Sequence, residues 1–164
     1  MSFSPIPDVS IESIFDLKPK MLSERGISLL LLDLDNTLIP YSHTTLPSEV
    51  GNWMDGFKRD GIELFLVSNT RSNRAETFSK TASIPFVNSA WKPSPKKVFE
   101  AMRRMGRGLQ DTAIMGDQIF TDVLAGNRAG IFTIVVKPID VHNFLFKLRY
   151  FIELPFRVLS KQKL

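Results

Sequence analysis

Cysteine is absent from the chain, and its absence excludes several kinds of chemistry. Disulfide bonds, metal sites built from thiolates and mechanisms with a cysteine nucleophile are all ruled out. Long apolar runs are absent too, because no stretch reaches the roughly 18 consecutive apolar residues that a membrane-spanning helix needs. The first residues contain no basic segment followed by an apolar one, so they predict no secretory signal. We therefore expect a cytoplasmic protein, either free or peripheral at the inner face of a membrane.

Net positive charge is absent outside the end of the chain. The net charge is +4, and from residue 142 onward there are five basic residues and a single acid, Glu153. The basic residues of this segment are Lys147, Arg149, Arg157, Lys161 and Lys163. The preceding part of the chain is therefore balanced, and any role of the positive charge belongs to the end.

Apolar and polar segments alternate in a pattern typical of an α/β fold. The chain has 164 residues, of which 43% are hydrophobic, enough for one globular domain with a core. The predicted strands are residues 29–32, 62–67, 85–87, 112–115 and 131–136. The predicted helices are residues 47–60, 73–81, 94–105 and 118–128. This alternation predicts a parallel five-stranded sheet with helices on both faces, a Rossmann-like three-layer sandwich.

Two flanking segments complete the predicted organisation. Residues 1–26 should form an arm that packs on the domain or on a membrane, with a short helix through Ile14 and Phe15 that Pro19 ends. Residues 27–140 form the predicted domain. Residues 141–164 predict a basic amphipathic helix and tail that pack on it.

Two carboxylates, Asp33 and Asp35, follow the four leucines of the first predicted strand. Ligands of open parallel sheets bind outside the carboxyl ends of the strands, so these side chains emerge where a site is expected. One carboxylate can attack while the other transfers a proton. The alternative is that Asp-Leu-Asp-Asn-Thr only forms a turn and caps a helix, because these residue types favour both.

Polar residues also follow three further predicted strands. They are Ser68 with Asn69, then Lys92, then Asp117 with Asp122. A parallel sheet brings the carboxyl ends of its strands to one edge, so these groups should converge on one pocket. Carboxylates this close repel each other unless a cation lies among them, and an all-oxygen set suits Mg²⁺ better than zinc. A lysine and a hydroxyl beside that cation suit phosphate, so the sequence predicts phosphoryl transfer.

The four motifs resemble those of the haloacid-dehalogenase-like (HAD) phosphatases. They read Leu-Leu-Leu-Leu-Asp-Leu-Asp-Asn-Thr-Leu, Val-Ser-Asn-Thr, Lys-Pro and Met-Gly-Asp-Gln-Ile-Phe-Thr-Asp, in that order. The resemblance implies that Asp33 is the nucleophile that becomes an aspartyl phosphate, and that Asp35 is the general acid and then the base. It also implies that Ser68 and Asn69 bind the phosphate and that Lys92 steadies it.

The same resemblance implies a Mg²⁺ site. Asp33, Asp117 and the backbone carbonyl of Asp35 would hold the ion. Asp122 ends the same motif, and we expect it to belong to the metal site, to cap a helix or to support the metal ligands indirectly.

A finer resemblance concerns the substrate. Asp-Leu-Asp-Asn-Thr-Leu, Ser-Asn, Lys-Pro and Gly-Asp-Gln-x-x-Thr-Asp followed by Gly-Asn-Arg are similar to the YqeG-type branch, which resembles the phosphatidylglycerophosphate phosphatases. Such enzymes remove the terminal phosphate to make phosphatidylglycerol. The spacings from Asp35 to Ser68 and from Ser68 to Lys92 each leave room for one helix and one strand, so we expect no cap domain. An uncovered site admits a large substrate, including a lipid head group in its bilayer.

The predicted carboxyl-terminal helix, residues 141–154, carries two apolar lines. The broader line should dock on the domain; it comprises Val141, Phe144, Leu145, Leu148, Phe151 and Ile152. The second line, Phe146, Tyr150 and Leu154, lies beside Lys147 and Arg149 and suits an anionic membrane surface. Its alternative is packing on another subunit or on the arm. Nucleic acid is not favoured, because the basic residues are few and the aromatic residues lie among aliphatic ones.

Two other functions are left open by the sequence. The first is the same chemistry on a soluble phosphate ester, in an oligomer whose neighbouring subunit covers the site. The second is a phospho-acceptor or binding module without turnover. The sequence does not decide the oligomeric state.

Overall fold

The structure is a computed structural model that describes residues 3–70, 73–141 and 144–160. Its strands are Val9–Ile11 (β1), Leu29–Leu32 (β2), Glu63–Val67 (β3), Phe86–Val87 (β4), Thr112–Gly116 (β5) and Phe132–Val136 (β6). They form one parallel sheet in the order β1-β6-β5-β2-β3-β4. The two strands that carry most of the predicted chemistry, β2 and β5, are therefore neighbours at the centre of the sheet.

Strand β2 is buried on both faces, as its four leucines predict. Leu30 and Leu32 belong to the hydrophobic core on one face of the sheet, and Leu29 and Leu31 to the core on the other. Side chains alternate between the faces of a strand, so a continuous apolar run fits a strand covered on both sides. The run ends where the chain reaches Asp33, at the carboxyl edge of the sheet.

Helices cover both faces of this sheet. They are Pro19–Ser23 (α1), Ser48–Arg59 (α2), Arg74–Ala82 (α3), Lys96–Met105 (α4), Leu124–Ala129 (α5) and Phe144–Val158 (α6). The apolar residues of α2 and α3 join the core on one face, and those of α4 and α5 join the core on the other. The α/β, Rossmann-like three-layer sandwich is therefore confirmed.

The expected number of strands is wrong by one. The sheet has a sixth strand, β1, which pairs with the edge of β6 through the register Val9 to Ile134. Both Val9 and Ile11 are buried. Three residues are too few for a periodic pattern to signal a strand, and pairing with an existing edge supplies the hydrogen bonds that stabilise this one.

The amino-terminal segment differs in a second respect. Residues Ile14–Asp16 form a single 3-10 turn, and Pro19 begins α1 instead of ending a helix. Proline lacks the amide hydrogen that the first helical position does not use, so it fits there. Leu17 and Leu22 lie in the main core, which makes this segment part of the domain's packing.

No cap domain is present in the described part of the chain. The connection from β2 to β3 contains α2, and the connection from β3 to β4 contains α3. Both helices pack on the sheet and not over its carboxyl edge.

Helix α6 contradicts the expected direction of docking. The line predicted to dock is exposed instead: Phe144 is 75% exposed, Leu148 46% and Phe151 71%. The buried residues of the helix are Glu153 and Arg157. Helix α6 therefore turns Glu153 and Arg157 toward the domain, together with Phe146 and Phe156, and leaves the line predicted to dock in solvent.

No described helix has the length and apolar character needed to cross a membrane.

Candidate active site

The carboxyl edge of the sheet gathers the polar residues that the sequence singled out. Asp33 follows β2, Ser68 and Asn69 follow β3, and Asp117 follows β5. Lys92 follows β4 by way of a short loop, and its peptide bond to Pro93 is cis. The parallel topology thus brings side chains far apart in the chain to one edge.

Lys92 is the buried cation of this edge. Its Nζ lies 2.5 Å from Oδ1 of Asp33 and 2.6 Å from Oδ1 of Asp122. It also donates a hydrogen bond to the carbonyl of Val67, at 2.8 Å. Burial lowers the pKa of Lys92, but the charges and hydrogen bonds of Asp122 and Asp33 outweigh it and raise this pKa above its usual value, so the ammonium group stays charged.

Asn69 holds the backbone of Lys92 in place. Its Oδ1 accepts a hydrogen bond from the Lys92 amide at 2.9 Å, and its Nδ2 donates one to the Lys92 carbonyl at 3.3 Å. Ser68, by contrast, is fully buried, and its hydroxyl accepts a hydrogen bond from the amide of Thr70 at 3.1 Å. Through its two hydrogen bonds, Asn69 fixes the backbone from which the Lys92 ammonium group extends.

Three buried carboxylates form a compact cluster. Asp33, Asp117 and Asp122 each place an oxygen within 4.8 Å of the others. Burial raises the pKa of Asp33 from 3.8 to about 7, with Asp122 adding to the rise and Lys92 opposing it. Burial also raises the pKa of Asp117, and the charges of Asp122 and Asp33 act in the same direction. One lysine does not neutralise three buried acids, so the cluster has the charge and the oxygen donors for a further cation.

One carboxylate oxygen of the cluster has no hydrogen-bond donor among the described residues. In the described part of the chain, Oδ2 of Asp117 is buried and accepts no hydrogen bond. The guanidinium of Arg149 lies 3.7 Å from it. Buried carboxylate oxygens without hydrogen bonds are rare, and a hard cation such as Mg²⁺ takes oxygen ligands of this kind. The residues present therefore fit the predicted metal.

Gly116 makes the third carboxylate possible. A methyl group at this position would overlap the Asp122 side chain. Only a residue without a side chain leaves space for that carboxylate against the strand. Oδ2 of Asp122 then accepts the amide hydrogen of Gln118 at 3.1 Å, so Asp122 both caps the turn, as expected, and belongs to the carboxylate cluster.

Asp35 lies apart from the cluster, on the wall of an open cleft. The cleft has a volume of about 330 Å³. Its lining residues are Asp33, Asp35, Tyr41, Asn69, Thr70, Arg74, Lys92, Gln118 and Thr121. The guanidinium of Arg74 lies 2.8 Å from Oδ1 of Asp35, and Arg74 also donates to the carbonyls of Tyr41 and Pro40. The Asp35 carboxylate is thus held by a cation on the solvent side of Asp33.

Two polar side chains, Asn36 and Thr37, hold the turn that follows Asp35. Asn36 is buried, has a positive φ of 63°, and exchanges hydrogen bonds with the backbone of Asp140. The hydroxyl of Thr37 lies 3.3 Å from Oδ1 of Asp117 and 3.5 Å from Oδ2 of Asp33. Asparagine tolerates the left-handed conformation better than most residues, which explains its place in this turn.

Helix α6 also reaches this edge, which the sequence did not predict. Arg157 donates hydrogen bonds to the backbone carbonyls of Asp117 and Val136 and lies 3.1 Å from Oε2 of Glu153. Arg149 approaches the Asp117 carboxylate. Phe146 stacks on Tyr41, with ring centroids 5.4 Å apart. The second apolar line of the sequence prediction therefore begins with a residue that packs beside the cleft.

Sequence reasoning missed four residues of this edge: Tyr41, Arg74, Arg149 and Arg157. Tyr41 and Arg74 follow the first two motifs, but nothing in their spacing marks them as cleft residues. The sequence pattern assigns Arg157 only to the positive charge at the end of the chain and Arg149 to the flank of the second apolar line. Their spacing with Glu153, four residues on either side, was a signal for paired charges on one side of a helix.

Fold and site together define a class of protein. A parallel three-layer sandwich with buried aspartates and a lysine at the carboxyl edge of its sheet has the form of a HAD-type hydrolase. A solved structure supports this fold: a putative HAD family hydrolase from Streptomyces avermitilis superposes with a TM-score of 0.60 at 12% identity, covering 84% of this chain and 75% of that one.

The sequence comparisons give the family. The family described as mitochondrial PGP phosphatase matches residues 3–140. The probable phosphatase YqeG of Bacillus subtilis is 37% identical over 134 residues, which are 82% of this chain and 78% of that protein. Phosphatidylglycerophosphate phosphatase 1 of Arabidopsis thaliana, chloroplastic/mitochondrial, is 23% identical over 82% of this chain and 41% of that protein. The chain therefore belongs to the PGP phosphatase family, and it is a HAD-type phosphatase.

Proposed function

We propose that this phosphatase removes the terminal phosphate of phosphatidylglycerophosphate in a Mg²⁺-dependent reaction that passes through an aspartyl phosphate on Asp33. The observation that carries the proposal is the arrangement of Asp33: its carboxylate is buried at the floor of an open cleft, 2.5 Å from the Lys92 ammonium and beside two further carboxylates. Because the cleft opens to solvent above Asp33, a phosphate ester can reach this nucleophile from the solvent side.

Asp33, Asp117 and the carbonyl of Asp35 are the proposed Mg²⁺ ligands, and the Asp122 carboxylate, within the same cluster, supports them. When bound, the ion neutralises negative charge on the transferred phosphoryl group. Lys92, 2.5 Å from Oδ1 of Asp33, favours the ionised form of Asp33, which is the form that attacks.

Each residue of the site has a separate proposed role in the reaction. Asp33 attacks the phosphorus atom, and the bond from phosphorus to the glycerol oxygen breaks. Asp35 gives a proton to that oxygen and later takes one from the water that hydrolyses the aspartyl phosphate. Lys92 balances the charge of the phosphoryl oxygens, and its contact with Asp122 keeps its ammonium group aimed at the nucleophile. Ser68 and Asn69 are the proposed phosphate-binding residues, and Asn69 also positions Lys92.

Two observations support a lipid head group as the substrate. The family and the Arabidopsis relative carry the name of this activity. The cleft is open, and no described segment covers it, so a head group that projects from a bilayer can enter while the acyl chains stay outside. We accordingly propose peripheral contact with an anionic membrane surface.

The experiment is phosphate release from phosphatidylglycerophosphate in mixed micelles with Mg²⁺, compared with a panel of soluble sugar and nucleotide phosphates. We expect turnover of the lipid far above that of the panel, with no activity in Asp33→Asn or after chelation of the metal. Asp55→Asn, which removes a carboxylate from the exposed side of α2, is the matched control and should behave as the wild type. Activity confined to the soluble panel would contradict the substrate and retain the chemistry, whereas activity that survives Asp33→Asn would contradict the mechanism.

A further inference from the structure

Helix α6 carries an exposed apolar surface that the fold does not use. We name this surface the outer face of α6; its residues are Phe144, Leu148, Phe151, Ile152, Pro155 and Val158. Phe144 and Phe151 are more than two-thirds exposed, and Ile152 is half exposed. The spacing of these residues places all of them on one side of the helix. Soluble proteins rarely leave so continuous an apolar surface in water unless it contacts something.

The orientation of the helix is held by buried charges on its opposite side. Glu153 and Arg157 pair with each other, and Arg157 donates to the carbonyls of Val136 and Asp117 at the carboxyl edge of the sheet. Rotating the helix to bury the outer face would bring both charges into solvent and leave those carbonyls without their donor. The ion pair therefore keeps the apolar side outward, which is a fixed property of the fold.

Charge indicates the nature of the partner. The single acid of α6 is Glu153, and it is buried against Arg157. Lys147 is exposed and stands next to the outer face in the helical order. An apolar surface with a positive flank and no exposed acid on the helix complements a surface that is apolar inside and anionic outside, which is the interface of a bilayer with acidic lipids.

The opposite side of α6 borders the cleft. Phe146 stacks on Tyr41, which lines the cleft, and Arg149 approaches the carboxylate of Asp117. A surface that contacts the outer face is therefore one helix diameter, roughly 10 Å, from residues that border the cleft. The geometry points to the outer face of α6 as the membrane-docking surface of the protein: the helix lies in the interface of an anionic bilayer and holds the cleft at the level of the lipid head groups. The inference rests on the proposed function only where it links docking to the hydrolysis of a lipid. Vesicle binding itself can be measured without substrate.

The test is flotation with vesicles that contain phosphatidylglycerol and phosphatidylcholine, compared with vesicles of phosphatidylcholine alone. The full-length wild type should float with the anionic vesicles and bind the neutral ones more weakly. The double variant Leu148→Glu with Phe151→Glu should lose anionic vesicle binding by about tenfold or more, because two apolar side chains are replaced by negative charge. Wild-type binding by this variant, or equal binding of the wild type to both vesicles, would overturn the proposal.

A matched control separates location from charge. Leu109→Glu with Phe99→Glu adds the same two charges at residues that are 44% and 39% exposed and lie away from α6. This control should float like the wild type. If both double variants lose binding equally, general charge repulsion explains the result and the outer face is not the docking surface.

Two further readouts complete the test. Light scattering of wild type and variant should give the same mass; a wild-type dimer that the α6 variant converts to a monomer, with vesicle binding unchanged, would assign the outer face to a second copy of the chain. Hydrolysis of soluble p-nitrophenyl phosphate should be equal in both double variants and the wild type, which shows that the folds are intact. If the protein docks through α6 but does not hydrolyse phosphatidylglycerophosphate, only the proposed substrate is contradicted. If it hydrolyses this lipid in micelles but does not bind vesicles, only the docking surface is contradicted.

Discussion

Strand β2 and helix α6 bury opposite kinds of residue. Strand β2 buries four leucines and ends at the buried Asp33, whereas α6 buries Glu153 and Arg157 and exposes phenylalanine and leucine. The strand lies between two helical layers, so its surroundings are apolar on both sides. The helix lies against strand ends and the turn at Ile119–Val123, where backbone carbonyls require donors. Which side chains a segment buries therefore depends on the chemical groups of the surface against which the segment packs, and not on its apolar content alone.

The largest expected effect concerns Lys92, whose ammonium group contacts both Asp33 and Asp122. Lys92→Met should keep the length of the side chain and lower kcat/KM for phosphate release by about 10³-fold to 10⁴-fold, because the buried acids and the phosphoryl group lose their cation. Steady-state kinetics at saturating Mg²⁺ would measure it. Lys96→Met, on the first turn of α4, is the control. A loss smaller than tenfold would mean that Lys92 only stabilises the fold.

The corresponding change in α6 should affect stability more than chemistry. Arg157→Met should lower the free energy of unfolding by about 3 kcal/mol, because Glu153 keeps only the more distant Arg149, 4.0 Å away, and two carbonyls lose a donor. Leu148→Gln on the outer face should change it by less than about 0.5 kcal/mol. Urea unfolding of both variants compares the two sides of the helix directly. Equal effects of the two substitutions would contradict the inverted packing of α6.

The carboxylate cluster should make the free energy of unfolding depend on pH, whereas the leucines of β2 do not titrate. Because the pKa of Asp33 is raised from 3.8 to about 7, the folded protein binds a proton that the unfolded chain releases. Without metal, the free energy of unfolding should therefore fall as pH rises toward 7, by on the order of a few kcal/mol, and then level off. Asp117 shifts in the same direction.

Mg²⁺ should reduce this dependence, because the ion favours the ionised carboxylates. Thermal unfolding between about pH 5 and pH 8, in chelator and in excess Mg²⁺, would measure both curves. Asp33→Asn in chelator should give a flatter curve than the wild type. A chelated wild type that is most stable at the alkaline end would argue against the raised pKa values.

A smaller effect is expected at the glycine that ends β5. Gly116→Ala should cost about 1–3 kcal/mol of stability, because its methyl group overlaps the Asp122 carboxylate. The displaced carboxylate should also reduce activity, since it contacts Lys92. Gly51→Ala, at a position in α2 where a methyl group would meet only ordinary contacts, is the matched control. Unchanged activity in Gly116→Ala would show that Asp122 tolerates displacement.

Several particular features of the site could be read from the sequence because they are local. The leucine run predicted a strand buried on both faces, and the polar residues at Asp33, Lys92 and Asp117 marked the ends of elements that a parallel sheet gathers at one edge. Their roles in catalysis stay predictions. Strand β1 could not be found this way, because three residues carry no measurable periodicity and its stability comes from the edge of β6.

The direction of α6 was beyond local reasoning for a different reason. Its apolar spacing predicts docking through Phe144, Leu148 and Phe151, and that pattern is real. The free energy of pairing Arg157 with strand-end carbonyls and Glu153 depends on groups 21 and 40 residues away in the chain as well as on its own turn. Helical periodicity contains no information about such distant acceptors.

By itself, the sequence determined the layered α/β fold and the family of the protein, because apolar periodicity and short motifs are properties of neighbouring residues. Only the tertiary structure decided that Lys92 lies between Asp33 and Asp122, that Arg74 holds Asp35, and that α6 buries an ion pair. These outcomes depend on which charged and polar groups meet when distant segments pack. Buried charges are stable only with specific partners, and those partners are brought together by the fold.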